Sequence, residues 1–381
     1  RIAFMGSPDF SVPTLEATSC PAAMIASSVG VVPNYSSANV ITISNDITLT
    51  TDVTIDQTII AETGRLIIAA ERKLEINNGA GDDLKIYGTM DWYGKLGLSS
   101  SLIYVHPGGI INILGDNNKE FRYGAGYLSN YGTINWIGSG ILIGGSKTIN
   151  NYSSGVIDFR SDSGFYSDNG GDGIYTVNNQ GLIKKSAGSG TIKFDHAVFH
   201  NSGTVEVQAG TIELADGGSN SGTMNINSEK TLLFSSGTFT LSEGGIFDGS
   251  GTVSLTGGNL SATGTSEGTV YNTNLAFDMS GGELSGAGKS TIKGTMNWSG
   301  GTISNGTLNI NSGAFLNISG SSEKVFRLSG GSLNNNGLIT WTGTGGIKGG
   351  ANTLNNLCGG VLDCQNNASI YYDGGGWPSI T

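Results

Sequence analysis

The chain has 381 residues, of which 63 are glycine and 6 proline; 13% are charged, and the formal net charge is −11. So few charges and prolines exclude a disordered chain, glycine without a three-residue period excludes collagen, and the acidic balance disfavours nucleic acid and anionic lipid as partners. No apolar run reaches the roughly 20 residues that a transmembrane helix needs.

Residues 1–35 carry no repeat and read as an N-terminal arm or cap. Within them PAAMIASSVGVVP, at 21–33, is too short to span a bilayer. It also lacks the basic leader of a signal peptide, because Asp9 and Glu16 precede it. The opening RIAFMGSPDFSVPTLEA, at 1–17, resembles the N-terminus of methionyl-tRNA formyltransferases. In that family the segment leads into a Rossmann-like domain that supplies the catalytic Asn, His and Asp. No alternation of strands with helices follows here, so the resemblance implies a fragment and transfers no activity.

Residues 36–381 read as a β-solenoid with a long internal repeat, 88–171 matching 294–376. Residues 119–171 align without a gap on 324–376, with 23 identities in 53 positions. Four Gly-x-x-x-Trp segments end in Trp92, Trp136, Trp298 and Trp341, and the step from Trp92 to Trp136 nearly equals that from Trp298 to Trp341. That spacing fits two coils of about 22 residues, a solenoid period. Between the long copies run GTIKF, GTVEV, GTIEL, GTMNI, GTFTL and GTVSL. Each is a short strand with apolar residues at alternate positions, so one side faces a core. Gly, Asn and Asp between the strands suit tight corners through left-handed backbone. The prediction is an all-β, single-stranded, right-handed parallel β-helix of about 15 coils with almost no helix and with the four tryptophans in its core. A sandwich array would show units of about 100 residues with longer strands.

The segments NNQGLIKKSAGSGTIKF (178–194), NSGTVEVQAGTIEL (201–214) and SLNNNGLITWTGTGGI (332–347) resemble the Gly/Asn/Ser/Thr-rich repeats of large bacterial secreted and surface proteins. The resemblance implies a β-helix, an extracellular or cell-surface location, and a role as stalk, adhesin or surface layer. The leading expectation is a structural rod, not an enzyme, that self-associates through its solenoid ends or its N-terminal arm. A glycan- or surface-binding adhesin with polysaccharide as partner is the alternative. A polysaccharide lyase or hydrolase is the third.

Candidate sites follow from the polar clusters. Asp158, Asp162, Asp168 and Asp172, in DFRSDSGFYSDNGGDG, offer calcium ligands or, with Arg160, Tyr166 and Tyr175, a sugar groove. The second copy keeps only two of these acids, as Asp363 and Asp373, so corner-forming Asx turns are the expected role. Ca²⁺ at Asp162, Asp168 and Asp172 is the weaker alternative, and no other cofactor is expected. GGDGIYTV, at 170–177, resembles one calcium-binding nonapeptide, with Ile174 where a ligand Asp belongs. Asp195, His196 and His200 mimic a metal spacing, but four residues along a strand cover about 13 Å. These histidines, and His106, are expected to be exposed or at corners. Phe121 with Arg122 and Phe326 with Arg327 read as core Phe and outward Arg. Of the three cysteines (Cys20, Cys358, Cys364), Cys364 aligns with Phe159 and is expected to face the core; a Cys358–Cys364 bridge is the alternative.

Overall fold

The computed structural model describes residues 23–25, 40–78, 82–122, 126–166, 173–265, 268–328, 331–350, 353–372 and 379–380. All its elements are β-strands, wound into a parallel β-solenoid of about 14 turns with the three-sheet arrangement of a right-handed β-helix. The chain forms two compact units: 1–188 with 195–198, and 189–194 with 199–381.

In the first unit the strands recur in threes, and each pairs in parallel with the third strand before and after it. Sheet I contains Leu84–Ile86, Leu102–Val105, Gly126–Asn130, Lys147–Asn151 and Tyr175–Asn179. Sheet II contains Thr89–Trp92, Ile110–Ile113, Thr133–Trp136, Val156–Phe159 and Leu182–Lys185. Sheet III contains Lys73–Asn77, Lys95–Ser99 and Lys119–Arg122. Period-two side-chain alternation sends every second residue inward. In sheet II, Trp92, Ile113, Trp136 and Phe159 therefore occupy one buried column, and the two tryptophans lie two coils apart. Trp92 meets Phe121 edge-on at 5.6 Å, and Trp136 stacks on Phe159 at 5.1 Å. Each aliphatic side chain buried beside them contributes roughly 1.5–3 kcal/mol before entropy is subtracted. Coil length varies: the register partners Ile47 and Leu66 close a short coil, Ile157 and Ile183 a longer one, and the corners absorb the difference.

Ala23–Ile25 adds in parallel to Asp46–Leu49. The rest of the 1–35 arm, with its formyltransferase-like opening and Cys20, lies outside the described residues.

The second unit repeats the scheme. Met279, Trp298, Ile318, Trp341 and Cys364 share one register column, and both tryptophans are buried. Phe247, Tyr271 and Phe277 stack in its core, with centroids 5.0 and 4.7 Å apart. Cys364 departs from expectation. It takes the inward register of Trp341 yet is exposed, because its strand has a described partner on one side only; Cys358 and Cys364 are both free thiols.

The corners hold two devices. Asn130, Asn151 and Asn179 stack inside one corner of the first unit: Asn130 Nδ2 donates to Asn151 Oδ1 (2.7 Å) and Asn151 Nδ2 to Asn179 Oδ1 (2.8 Å). The Gly132 N–H donates back to Asn130 Oδ1 at 3.2 Å, which explains the Asn-x-Gly spacing. Asn201 with Asn220, and Asn335 with Asn356, do the same in the second unit, each at 2.8 Å. The glycines of Gly-x-x-x-Trp serve differently from the left-handed role expected of corner glycines. Their φ angles are not positive. A Cβ on Gly132 would instead lie 2.3 Å from the Gly109 carbonyl oxygen of the coil below, and one on Gly337 2.4 Å from that of Ala314. Close approach of stacked backbones demands glycine there.

Candidate functional site

The acidic cluster is consumed internally where it is described. Asp158 lies within the strand Val156–Phe159, not at an Asx corner, and is only 2% exposed. It accepts from Arg160 Nε (2.8 Å) and Ser186 Oγ (2.5 Å), with Lys184 Nζ 3.7 Å away. Asp162 accepts from the buried ammonium of Lys185 at 2.6 Å. Asp168 and Asp172 lie outside the described residues, as does Asp373. Tyr175 belongs to the core rather than to a groove, whereas Tyr166 is exposed. His196 sits at a corner with φ of 52°. His200 is half-buried on a strand, with Nδ1 2.8 Å from Ser219 Oγ. Phe121 and Phe326 are buried and Arg327 is exposed.

A different constellation emerges on the outer face of sheet I in the first unit. The residue after each strand turns the corner toward sheet II, and its N–H bonds to the coil below: His106 N to Ile86 O, Tyr131 N to Val105 O, Tyr152 N to Asn130 O. This ladder brings Tyr87, His106, Tyr131 and Tyr152 into one row. Tyr87 stacks on His106 (3.8 Å, 18°), His106 tilts against Tyr104 (4.3 Å), Tyr104 stacks on Tyr131 (4.9 Å), and Tyr131 stacks on Tyr152 (4.3 Å, 6°). Five half-buried rings thus form a continuous run across four coils.

Beside it the strands present two outward columns. One carries Lys85, Tyr104, Ser129, Asn150 and Asn178; the other carries Leu102, Tyr127, Thr148 and Thr176. Asn178 Nδ2 donates to Asn150 Oδ1 at 2.9 Å. Tyr127 is 51% exposed and available as an aromatic platform. Lys85 is neutralised by Asp82 at 2.8 Å, which also holds its pKa above the usual lysine value.

The row is electrostatically quiet. Burial, then the neighbouring Tyr152 and Tyr104, push the Tyr131 phenol up to about 12. Burial, reinforced by Lys85, lowers the His106 pKa, and His106 Nε2 is buried with no hydrogen-bond partner. A neutral imidazole is the form that suits this environment.

The internal repeat separates packing from function. Trp92, Phe121, Gly132 and Trp136 all recur in the second copy, as Trp298, Phe326, Gly337 and Trp341. The outer aromatics do not: Tyr87, Tyr104, His106, Tyr127, Tyr131 and Tyr152 align with Lys293, Asn309, Asn311, Ser332, Asn336 and Leu357. The scaffold at those positions is nonetheless the same, since Asn309, Asn334 and Asn355 form the column that Tyr104, Ser129 and Asn150 form in the first unit. Packing of the coil therefore does not require the rings.

The row is not apparent in the sequence because Tyr87, His106, Tyr131 and Tyr152 are unequally spaced along the chain. The available signal was positional: each is the residue directly after the last inward side chain of a strand and shortly before the corner glycine. No protein-family model matches the chain, and no curated protein matches it.

Proposed function

We propose that the chain is a structural β-solenoid of a secreted or cell-surface protein whose first unit binds glycan through the outer face of sheet I. The observation that carries the reading is the aromatic row beside the hydroxyl and amide columns: the columns recur in the second copy of the repeat, as Thr307, Ser332 and Thr353 and as Asn309, Asn334 and Asn355, but the rings do not. Tyrosine rings offer apolar faces to the C–H surfaces of sugars and hydroxyls to their oxygens, and ladders of Ser, Thr and Asn supply uncharged hydrogen bonds. Binding rather than catalysis is favoured because the described acids Asp158 and Asp162 are engaged by Arg160, Ser186 and Lys185. A pull-down on insoluble polysaccharides tests the proposal: retention of the wild-type chain and its loss in Tyr104→Ala/Tyr127→Ala support it, and equal retention of both overturns it.

A second reading, self-association, is favoured by the exposed Leu357, Val361, Ile370 and Tyr371 on the outermost described coil of the second unit. A strand paired on one side accepts another strand, from continuation of the chain or from a second copy. Light scattering over a concentration series distinguishes the two.

A further inference from the structure

Resting on the glycan reading above, we infer that the ligand is a neutral, extended polysaccharide that lies along the stacking direction of the coils, one sugar to roughly one coil.

Charge is the first argument. In the two outward columns and the ring row, the described side chains are tyrosine, histidine, leucine, serine, threonine and asparagine, apart from Lys85, and Lys85 is paired with Asp82. Nothing there offers a free cation to a uronate or a sulfate, because the Lys85 ammonium is already met by Asp82.

Periodicity is the second. The columns hold side chains at identical register, coil after coil: Tyr104, Asn150 and Asn178 in one, with the buried Ser129 between Tyr104 and Asn150, and Leu102, Tyr127, Thr148 and Thr176 in the other. Parallel strands lie ~4.8 Å apart, so five strands from Leu84–Ile86 to Tyr175–Asn179 make a track about 19 Å long. An extended chain of equatorially linked pyranoses advances by about one strand spacing per sugar with successive sugars turned over, so consecutive sugars meet consecutive coils and every second one presents the same edge. A ligand crossing the sheet would meet only two outward residues per strand, because side chains alternate.

Order along the track is the third. Rings occupy the first four coils, from Tyr87 through Tyr104, His106, Tyr127 and Tyr131 to Tyr152, whereas the fifth carries Thr176 and Asn178 with no ring in the row. One end of the site stacks and the other hydrogen-bonds, so the ligand is held in one polarity.

Calorimetric titration with neutral β-1,4-linked oligosaccharides (gluco-, xylo- and manno-) of increasing length, beside oligogalacturonate, tests this. Affinity should rise with each added sugar until the ligand spans the five strands and then level off, with oligogalacturonate binding at least about tenfold more weakly. Tyr127→Ala should weaken the longest neutral ligand about tenfold, with the near-ultraviolet circular dichroism of the ring row unchanged. Preferential binding of the charged ligand, or affinity independent of length, overturns this inference and leaves the glycan reading standing. Failure of every oligosaccharide and every insoluble polysaccharide to bind overturns both.

Discussion

Tyr131 and Tyr152 lie face to face, 4.3 Å between ring centres and 6° between planes, although they belong to successive coils of the chain. The contact exists because each is the first residue past a strand of sheet I and each donates its backbone N–H to the coil beneath. Side chains at such equivalent places must stack at the strand spacing.

The stack has a consequence at alkaline pH. An unfolded tyrosine ionises near 10, whereas Tyr131 is held neutral up to about 12 by burial and by its neighbours Tyr152 and Tyr104. Its contribution to stability is complete below about pH 10 and is lost as pH rises toward 12, because the unfolded chain releases its proton first. A spectrophotometric phenolate titration should show a late-ionising group that Tyr131→Phe removes. If that variant leaves the titration unaltered, the assignment fails.

His106 gives the opposite dependence. Its folded pKa is lowered, so as pH falls through about 6.5 the unfolded chain takes up the proton before the folded one and stability declines; above that pH the contribution is intact. Burial is the main cause, Lys85 adds to it and Asp82 opposes it. The near-ultraviolet signal of the ring row should change as pH falls below the ordinary imidazole value of about 6.5 in the wild-type chain and stay constant in His106→Phe. Signals that change alike with pH in the wild-type chain and in His106→Phe would show that the imidazole does not govern the stack.

The tryptophans of the two copies should respond unequally to truncation. Trp92 Nε1 donates to Gly94 O at 2.8 Å, whereas Trp298 Nε1 is buried without a partner. Replacement by phenylalanine costs both sites packing, but only at Trp92 does it orphan a buried carbonyl. Trp92→Phe should therefore destabilise by about 1 kcal/mol more than Trp298→Phe, read by denaturant unfolding of the intact chain. Equal losses would mean that packing alone decides both.

Corner chemistry was legible as composition but not as mechanism. Asn-x-Gly recurs plainly in the sequence, yet that Asn151 passes a hydrogen bond to Asn179 while accepting one from Asn130 depends on coils that are distant in the chain. The acidic cluster shows the reverse. Asp158 looked like a corner ligand because acids crowd around it in sequence, and it is in fact a strand residue whose carboxylate is closed off by Ser186 from the next coil.

Local pattern determined what could be known from the chain alone: alternating apolar residues fix which side of each short strand turns inward, and the repeated tryptophans fix the coil period, because both depend only on near neighbours. The ring row, the outward columns and the pairing of Asp158 and Asp162 were decided by the tertiary winding. Coils of unequal length bring unequally spaced positions into register, and only stacking tells which residues of different coils become neighbours.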